Sequence, residues 1–212
     1  MKHSHIKFPA NNLNFEGILS MPEDLNNHPS IVMCHPHPQN GGNMDNNVIS
    51  STALDLCDVG FVTLRFNFRG VGNSEGHFTN GTQEYQEILG ALNFVKNLDN
   101  TNSDKTSLLG YSFGSRVILS QECVVESIAG IVLISPQTQA LIESNVINRT
   151  VPILVVTGSN DHVCDSEQLS QFFEGRKEPT TLKIIEGADH FWTGKEIELR
   201  DAIRNFMVNL VQ

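Results

Sequence analysis

Hydrophobic residues occur along this chain in short blocks, and their spacing alternates between the two-residue period of β-strands and the longer period of α-helices. The first two blocks, 6–8 and 13–19, alternate apolar and polar residues on either side of Asn11-Asn12, which predicts a β-hairpin. Later blocks such as 29–34 are continuously apolar, a pattern typical of strands buried on both faces. The remaining predicted strands are 61–67, 106–111, 128–134, 152–157 and 181–185, and the predicted helices are 47–59, 82–98, 114–123, 166–173 and 195–210.

This order of elements indicates the fold class. A hairpin followed by repeated strand–helix units predicts an α/β fold: a mostly parallel, twisted sheet with an antiparallel N-terminal hairpin and helices on both faces. No internal repeat, low-complexity tract or Pro/Gly-rich linker interrupts the pattern. We therefore expect one domain over residues 1–212.

Composition and charge narrow the function classes. With 39% hydrophobic and 18% charged residues, the sequence is typical of a soluble globular protein. No stretch approaches the run of about 18 apolar residues that a membrane span needs. A net charge of −10 argues against a nucleic-acid or anionic-membrane partner, because both select for an excess of Lys and Arg. Since the N-terminus lacks a signal-peptide pattern and the four cysteines show no C-x-x-C or metal spacing, we expect a cytoplasmic protein.

The residues Gly110-Tyr111-Ser112-Phe113-Gly114 lie where a predicted strand meets a predicted helix. G-x-S-x-G at such a junction is typical of a nucleophile elbow, a tight turn that lifts a serine hydroxyl above the sheet. Glycine is needed on both sides because a side chain there would collide with the neighbouring strand or helix. The pentapeptide alone also fits an ordinary turn, so its meaning depends on the residues that accompany it.

Two further residues supply the groups that an activated serine requires. Asp161 and His190 follow the last two predicted strands, so both should lie with Ser112 at the carboxyl edge of the sheet. A histidine can remove the serine proton, and a carboxylate can fix the tautomer of the ring. Asp165 is the alternative acid, and Asp161 is preferred because it lies closer to the end of its strand.

The order Ser…Asp…His, with each residue after a separate strand, resembles the alpha/beta-hydrolase superfamily over almost the whole chain. The segments 35–38 (HPHP), 41–46 (GGNMDN) and 65–76 (RFNFRGVGNSEG) are similar to a subset of small, uncharacterised prokaryotic serine hydrolases. The resemblance implies that Ser112 is the nucleophile, Asp161 the orienting acid and His190 the base. We expect no cofactor and no metal.

A tetrahedral intermediate needs two backbone N–H donors, which form an oxyanion hole. Phe113, directly after the proposed nucleophile, is the first expected donor. The second should come from the loop after the strand 29–34, where many hydrolases of this superfamily carry His-Gly. Because the prolines at 36 and 38 have no N–H, His37 is the preferred donor there and Gln39 is the alternative.

Three other features have competing interpretations. His35 and His37, two residues apart, suggest a metal site, but no recognised ligand spacing completes the pair, so a loop scaffold is preferred. The glycine-rich segment 70–76 differs from a dinucleotide-binding loop because its third glycine comes one residue late, and we expect it to shape the edge of the pocket. Phe191 and Trp192 either line that pocket or form a hydrophobic lid on the sheet edge.

These residues predict a serine hydrolase that cleaves small acyl esters through an acyl-enzyme. A dehalogenase of this fold would need Asp at position 112, and a dienelactone hydrolase Cys. Only 135–151 is available for a cap, so a shallow, open pocket and a small-molecule acyl substrate are expected. A thioesterase or small-peptide hydrolase with the same triad remains open, as does a binding protein without turnover. The chain is expected to be a monomer or a homodimer.

Overall fold

The computed structural model describes residues 1–24, 26–176 and 179–212. Within these ranges the chain forms eight strands and six α-helices. The strands are β1 (Lys2–Ala10), β2 (Leu13–Met21), β3 (His28–Cys34), β4 (Val62–Phe66), β5 (Thr101–Tyr111), β6 (Ile131–Ile134), β7 (Ile153–Gly158) and β8 (Thr180–Ile185). The helices are α1 (Asn47–Asp58), α2 (Tyr85–Lys96), α3 (Phe113–Ser120), α4 (Thr138–Ile142), α5 (Ser166–Phe173) and α6 (Glu196–Val211).

The eight strands join one sheet in the order β1-β2-β4-β3-β5-β6-β7-β8. β1 pairs with β2, and β2 with β4, in antiparallel register, with Phe8 opposite Phe15 and Leu19 opposite Leu64. The pairs from β4 through to β8 are parallel. Because parallel strands end at the same edge of a sheet, the loops that follow β3, β5, β7 and β8 come together there. The predicted fold class, with its antiparallel N-terminal hairpin, is confirmed.

Two hydrophobic clusters cover the two faces of the sheet, because successive residues of a strand point to opposite sides. In β3, Ile31 and Met33 belong to a cluster with residues of α1 and α6, whereas Val32 and Cys34 belong to one with residues of α2, α3 and α5. All four side chains are fully buried. The continuously apolar run in the sequence therefore reflects a strand that is covered on both faces.

Helix α2 begins at Tyr85 rather than at residue 82, where the sequence pattern starts it. The buried carboxylate of Glu84 accepts hydrogen bonds from the backbone amides of Thr79 (2.7 Å) and Gly81 (2.9 Å), which holds the preceding residues in a turn. Burial alone would raise the pKa of Glu84, but the hydrogen bonds from Thr79 outweigh it, and this pKa lies below its ordinary value. A buried polar contact thus displaces the helix start from the limit that apolar periodicity indicates.

The connection between β6 and β7, all of which is described, carries only the short helix α4 and one 3₁₀ turn, Asn145–Asn148. Val146 and Ile147 of that turn are buried, and the Ser144 hydroxyl donates to the carbonyl of Leu119 in α3 (2.6 Å). The segment packs down on the sheet-covering helices instead of standing over the strand ends. The sheet edge is therefore left without a cap, as expected.

No helix within the described ranges combines the length and the apolar character that crossing a bilayer requires. The cysteines are free thiols, with Cys34, Cys57 and Cys164 buried and Cys123 exposed.

A buried ion pair connects the loop after β4 to helix α2. The guanidinium of Arg69 donates to the Glu87 carboxylate, and both side chains are almost completely removed from solvent. Its Nη2 also donates to the Gln83 carbonyl (3.2 Å) and to Gln86 Oε1 (3.1 Å). Burial raises the pKa of Glu87, and the attraction of Arg69 only partly opposes this. The loop after β4 is therefore anchored by Arg69, whose positive charge compensates the buried carboxylate of Glu87.

We predict that Arg69→Ala lowers the free energy of unfolding by about 3–5 kcal/mol at pH 7, because it leaves Glu87 charged and buried without a counter-ion. The loss should be smaller at pH 5 than at pH 7, because burial raises the pKa of Glu87 and protonation increasingly neutralises its uncompensated charge as the pH falls. Urea denaturation at the two pH values measures both effects.

Arg149→Ala is the matched control. Arg149 and Glu122 also form an ion pair, but each side chain is 44% exposed. Removing an exposed pair costs about 1 kcal/mol or less. Equal losses in the two variants would contradict the role assigned to burial.

Candidate active site

Ser112 occupies a strained turn between β5 and α3. Its backbone has φ +52° and ψ −105°, a left-handed conformation that residues with side chains rarely adopt. The flanking glycines allow the turn to pack: a Cβ at Gly110 would lie 2.5 Å from the Ser115 amide nitrogen, and one at Gly114 would lie 2.3 Å from the Cys34 carbonyl oxygen. Both glycines of the G-x-S-x-G motif are thus required by backbone contacts on opposite sides of Ser112.

The side chains of Ser112, His190 and Asp161 form a continuous hydrogen-bonded row. Ser112 Oγ lies 3.0 Å from His190 Nε2. His190 Nδ1 lies 2.9 Å from Asp161 Oδ1 and 3.0 Å from Oδ2. The fold therefore brings together three residues that are separated in the chain by 78 and 29 positions.

Asp161 is held as an ionised acceptor. Its side chain is fully buried, and Oδ1 accepts hydrogen bonds from the backbone amides of Val163 (2.8 Å) and Cys164 (2.9 Å). Burial raises the pKa of this carboxyl, but the hydrogen bonds from His190 and Cys164 outweigh it, so the pKa of Asp161 lies below its ordinary value. An ionised carboxylate here selects the His190 tautomer with its proton on Nδ1, which leaves Nε2 as an acceptor toward Ser112.

The alternative acid Asp165 has a different place. It is the N-cap of α5, where its carboxylate accepts from the amides of Glu167 (3.0 Å) and Gln168 (2.9 Å). Capping satisfies helix amides that otherwise lack partners. Asp165 is therefore engaged by its own helix, whereas Asp161 contacts His190.

The loop that carries His190 is fixed from two directions. The Tyr111 hydroxyl donates to the His190 carbonyl at 2.6 Å, and burial raises the pKa of Tyr111, which keeps this donor protonated. On the other side, the Asn160 amide donates to the Ala188 carbonyl (2.9 Å), and a Cβ at Gly158 would lie only 2.1 Å from the same oxygen. These contacts hold the loops after β7 and β8 together and set the position of the imidazole.

The two expected oxyanion donors lie at the same cavity as Ser112. Phe113 is the first residue of α3, and the amide of a first helical residue has no acceptor within its helix. The Gln39 amide donates to His37 Nδ1 (3.2 Å), so the alternative donor is already used. Among the described residues we find no acceptor for the amide of His37. The geometry favours His37 over Gln39, and its role as a donor stays a prediction.

A cavity of about 650 Å³ opens beside Ser112. Phe191, 70% exposed, and Val163 contribute an apolar rim, whereas Trp192 is fully buried in the core below. Of the two aromatic residues for which the sequence left two interpretations open, Phe191 therefore lines the cavity and Trp192 belongs to the core. The remaining lining residues are Pro36, His37, Asn40, Gly41, Gly42, Asn46, Asn80, Tyr111, Phe113, Arg116, Gln137 and His190.

The glycine-rich segment 70–76 contributes none of the described residues that line this cavity, which corrects the expectation that it shapes the pocket edge. It is tied to β2 instead: Glu16 accepts from the backbone amide (2.8 Å) and from the side-chain Nδ2 (2.9 Å) of Asn73. Asn80, a few residues later, reaches the cavity. Arg116 was also missed by sequence reasoning, although its spacing of four residues from Ser112 on a predicted helix was an available signal.

His35 is a buried scaffold residue. Its Nδ1 donates to the Pro36 carbonyl (2.6 Å), and its Nε2 accepts from the Phe68 amide (3.1 Å). Both ring nitrogens are thus used by backbone groups, which links the loop after β3 to the loop after β4. Burial lowers the pKa of His35 to about 4, so the ring is neutral at neutral pH. Within the described ranges, no group of three His, Cys, Asp or Glu side chains is placed to hold a metal ion.

Comparison with known proteins defines the family. A model of the alpha/beta hydrolase domain matches residues 30–206, so this chain belongs to the alpha/beta-hydrolase family. An uncharacterised protein of Rickettsia prowazekii is 30% identical to it over 192 residues, which cover 87% of this chain and 80% of that protein.

Two solved structures show how close the resemblance is. An alpha/beta serine hydrolase homologue from Coxiella burnetii is 28% identical, with a TM-score of 0.81 and 97% of each chain covered. A serine hydrolase without a lid from Xanthomonas campestris is 26% identical, with a TM-score of 0.82, and the match covers 97% of this chain and 93% of that one. The resemblance to small serine hydrolases without a cap is confirmed.

We predict that His35 makes stability fall as the pH decreases from about 6.5 to about 4. The pKa of its ring is about 4 in the folded protein and about 6.5 in the unfolded chain, so only the unfolded chain takes up a proton in this window. The shift corresponds to about 3 kcal/mol of stability that is present above the window and lost across it. Urea unfolding at several pH values measures the slope.

His35→Gln should be less stable at pH 7 but should lose less further stability on acidification, whereas the exposed His77→Gln should keep the wild-type slope. An NMR titration of the wild-type His35 ring gives an independent check. A ring that protonates near pH 6.5 in the folded protein would contradict the prediction.

Proposed function

We propose that this protein is a serine hydrolase that cleaves small acyl esters through a covalent acyl-enzyme. The observation that carries the proposal is the hydrogen-bonded row Ser112–His190–Asp161 at the wall of an open cavity. Membership of the alpha/beta-hydrolase family, with serine hydrolases among its similar structures, supports the same reaction class.

In the proposed reaction, Ser112 Oγ attacks the ester carbonyl carbon while His190 Nε2 takes the hydroxyl proton. The carbonyl oxygen becomes an oxyanion, which the backbone amides of Phe113 and His37 stabilise. His190 then gives the proton to the leaving alcohol as the C–O bond breaks. Water, activated by the same imidazole, attacks the acyl-enzyme, and the carboxylic acid leaves with Ser112 restored.

Asp161 acts in this scheme by remaining ionised. Its pKa is held below the ordinary value, so it stays a carboxylate throughout the neutral range. It accepts the Nδ1 proton of His190 in a hydrogen bond and stabilises the imidazolium that forms when Ser112 is deprotonated. Since Asp161 is fully buried, this interaction is weakly screened by solvent.

The shape of the cavity supports a small substrate. Its volume of about 650 Å³ suits a small organic molecule, and no cap encloses a long chain above it. The rim of Phe191 and Val163 offers apolar contact to the alcohol part of an ester near the reacting serine, and an acyl chain that extends beyond the cavity on the other side of Ser112 would lie in water.

A fluorophosphonate should label Ser112 covalently in the wild type, and Ser112→Ala should abolish the labelling. Asp161→Asn should lower kcat for p-nitrophenyl butyrate by about 10⁴-fold, because an amide fixes the wrong tautomer of His190.

Asp165→Asn is the matched control, since it removes the same charge four residues away and Asn still caps a helix. It should keep near-wild-type activity. A folded wild-type protein that is neither labelled nor active would contradict the serine-hydrolase proposal and would favour a binding protein on the hydrolase fold. Equal effects of the two substitutions would remove Asp161 from the triad.

The shape of the cavity also limits the size of the acyl group. Across p-nitrophenyl esters from acetate to palmitate, kcat/KM should be highest for short acyl chains and should stop rising once the chain extends beyond the cavity. Each added methylene should gain at most about 0.8 kcal/mol while it is buried, and Phe191→Ala should lower kcat/KM by a similar factor at every acyl length, because Phe191 contacts the alcohol part. Exclusive activity on long-chain esters would contradict this preference.

A further inference from the structure

Arg116 stands on the same side of α3 as the proposed nucleophile. Its backbone amide donates to the Ser112 carbonyl (3.0 Å), which places the two residues one helical turn apart. Residues with this spacing lie on one helix face. Both side chains line the cavity.

The guanidinium group of Arg116 is held in place before any ligand arrives. Its Nη2 donates to the backbone carbonyl (3.1 Å) and the side-chain oxygen (2.9 Å) of Asn80. Asn80 makes these contacts from a left-handed conformation, with φ +55°. The guanidinium carbon lies 5.0 Å from the centre of the Phe113 ring, and a Cβ at the neighbouring Gly81 would come within 3.2 Å of Nη2. A side chain fixed this way loses little freedom on binding.

This positive charge has no acidic partner among the residues that the structure describes. Glu122 and Glu143 border a neighbouring cavity that Arg116 also touches. Glu122 is paired with Arg149, and Glu143 accepts a hydrogen bond from Gln139. In addition, both hydrogen bonds to Asn80 use Nη2, and no acceptor for Nε or Nη1 lies within the described ranges. The remaining donors of the guanidinium are free.

The part of the cavity wall that the structure describes carries no carboxylate, although the chain has 24 Asp and Glu residues and a net charge of −10. Of the described residues that line the cavity, none is acidic, and four carry side-chain amides: Asn40, Asn46, Asn80 and Gln137. The charge of Arg116 also acts on His37, which lines the same cavity. Burial lowers the pKa of His37, and the positive charge of Arg116 lowers it further. The lining of this cavity in an acidic protein therefore carries one positive charge, that of Arg116, and several hydrogen-bonding amides.

We propose that Arg116 binds a carboxylate on the substrate, so that the preferred substrates are short acyl esters whose acyl chain carries a negative charge. This inference rests on the proposed serine-hydrolase function. Arginine is well suited to the task because its planar donors match a carboxylate and because charge-assisted hydrogen bonds are strong.

The order of the strands indicates that the substrate carboxylate belongs to the acyl part of the ester and not to its alcohol part. His190 must protonate the leaving alcohol, and it lies with Val163 and Phe191 on the β7–β8 side of Ser112. His37 and Asn80 follow β3 and β4 on the opposite side of β5, and Asn80 holds Arg116 there. With the leaving group toward β8, the acyl chain extends toward Arg116.

The test compares two ethyl fluorophosphonates that differ only at the end of their alkyl chain, pentyl against 4-carboxybutyl. The second-order rate constant for modification of Ser112 is measured for each by mass spectrometry. The wild type should react about tenfold or more faster with the carboxylated reagent. Methyl hexanoate and monomethyl adipate form the corresponding ester pair, and kcat/KM should show the same preference.

Arg116→Gln should reduce the ratio of the two rate constants by about tenfold or more, and Arg116→Lys should restore part of it because the charge returns without the planar fork. Arg149→Gln removes the same charge from a residue outside the cavity and should leave the ratio unchanged. Thermal unfolding of each variant verifies that it is folded.

Each outcome separates the two proposals. If folded wild-type protein is modified by neither reagent, the serine-hydrolase proposal fails and this inference fails with it. If Ser112 reacts equally with both reagents, or if Arg116→Gln slows both by the same factor, the serine-hydrolase proposal stands and carboxylate recognition is overturned. The second result would assign Arg116 to support of the Asn80 loop.

Discussion

The close packing of backbone on backbone at the end of β5 is the constraint on which the site depends. With no side chain at Gly110 or Gly114, helix α3 approaches the sheet closely enough for Gly114 to touch the Cys34 carbonyl of β3. This approach forces Ser112 into its left-handed conformation and points the start of α3 at the cavity. The positions of the Phe113 amide and the Arg116 side chain follow from the same turn. One steric requirement thus orders the proposed nucleophile, an expected oxyanion donor and the proposed binding residue.

Loops around this turn are fixed mainly by buried polar groups rather than by regular structure. His35 joins the loops after β3 and β4 through both ring nitrogens. Glu84 accepts hydrogen bonds from backbone amides that precede α2, and Asp161 accepts them from two amides of its own loop. A buried polar group without partners costs free energy, so each of these residues strongly favours one loop conformation. The edge of the sheet is consequently rigid where substrate is proposed to bind.

Charge is distributed unevenly between the surface and the cavity. The chain is strongly acidic overall, and that balance by itself argues against polyanionic partners. A small ligand responds to its immediate surroundings, because exposed charges beyond about 10 Å are largely screened at ordinary ionic strength. The cavity lining offers Arg116, amides and helix-start N–H groups to such a ligand. The negative net charge of the protein is therefore compatible with the binding of a small anion at Arg116.

The sequence by itself determined the types and order of the elements, the superfamily and the three residues that the fold brings into one row, because local periodicity and strand-end positions are written in short segments. The sequence pattern also predicted that Glu84 lies within a helix, whereas the observed helix α2 begins one residue later, at Tyr85. Only the tertiary structure decided between Asp161 and Asp165, separated exposed Phe191 from buried Trp192, moved 70–76 away from the cavity and revealed Arg116. These outcomes depend on contacts between residues far apart in the chain and on the conformations of loops, and neither leaves a periodic signal in the sequence.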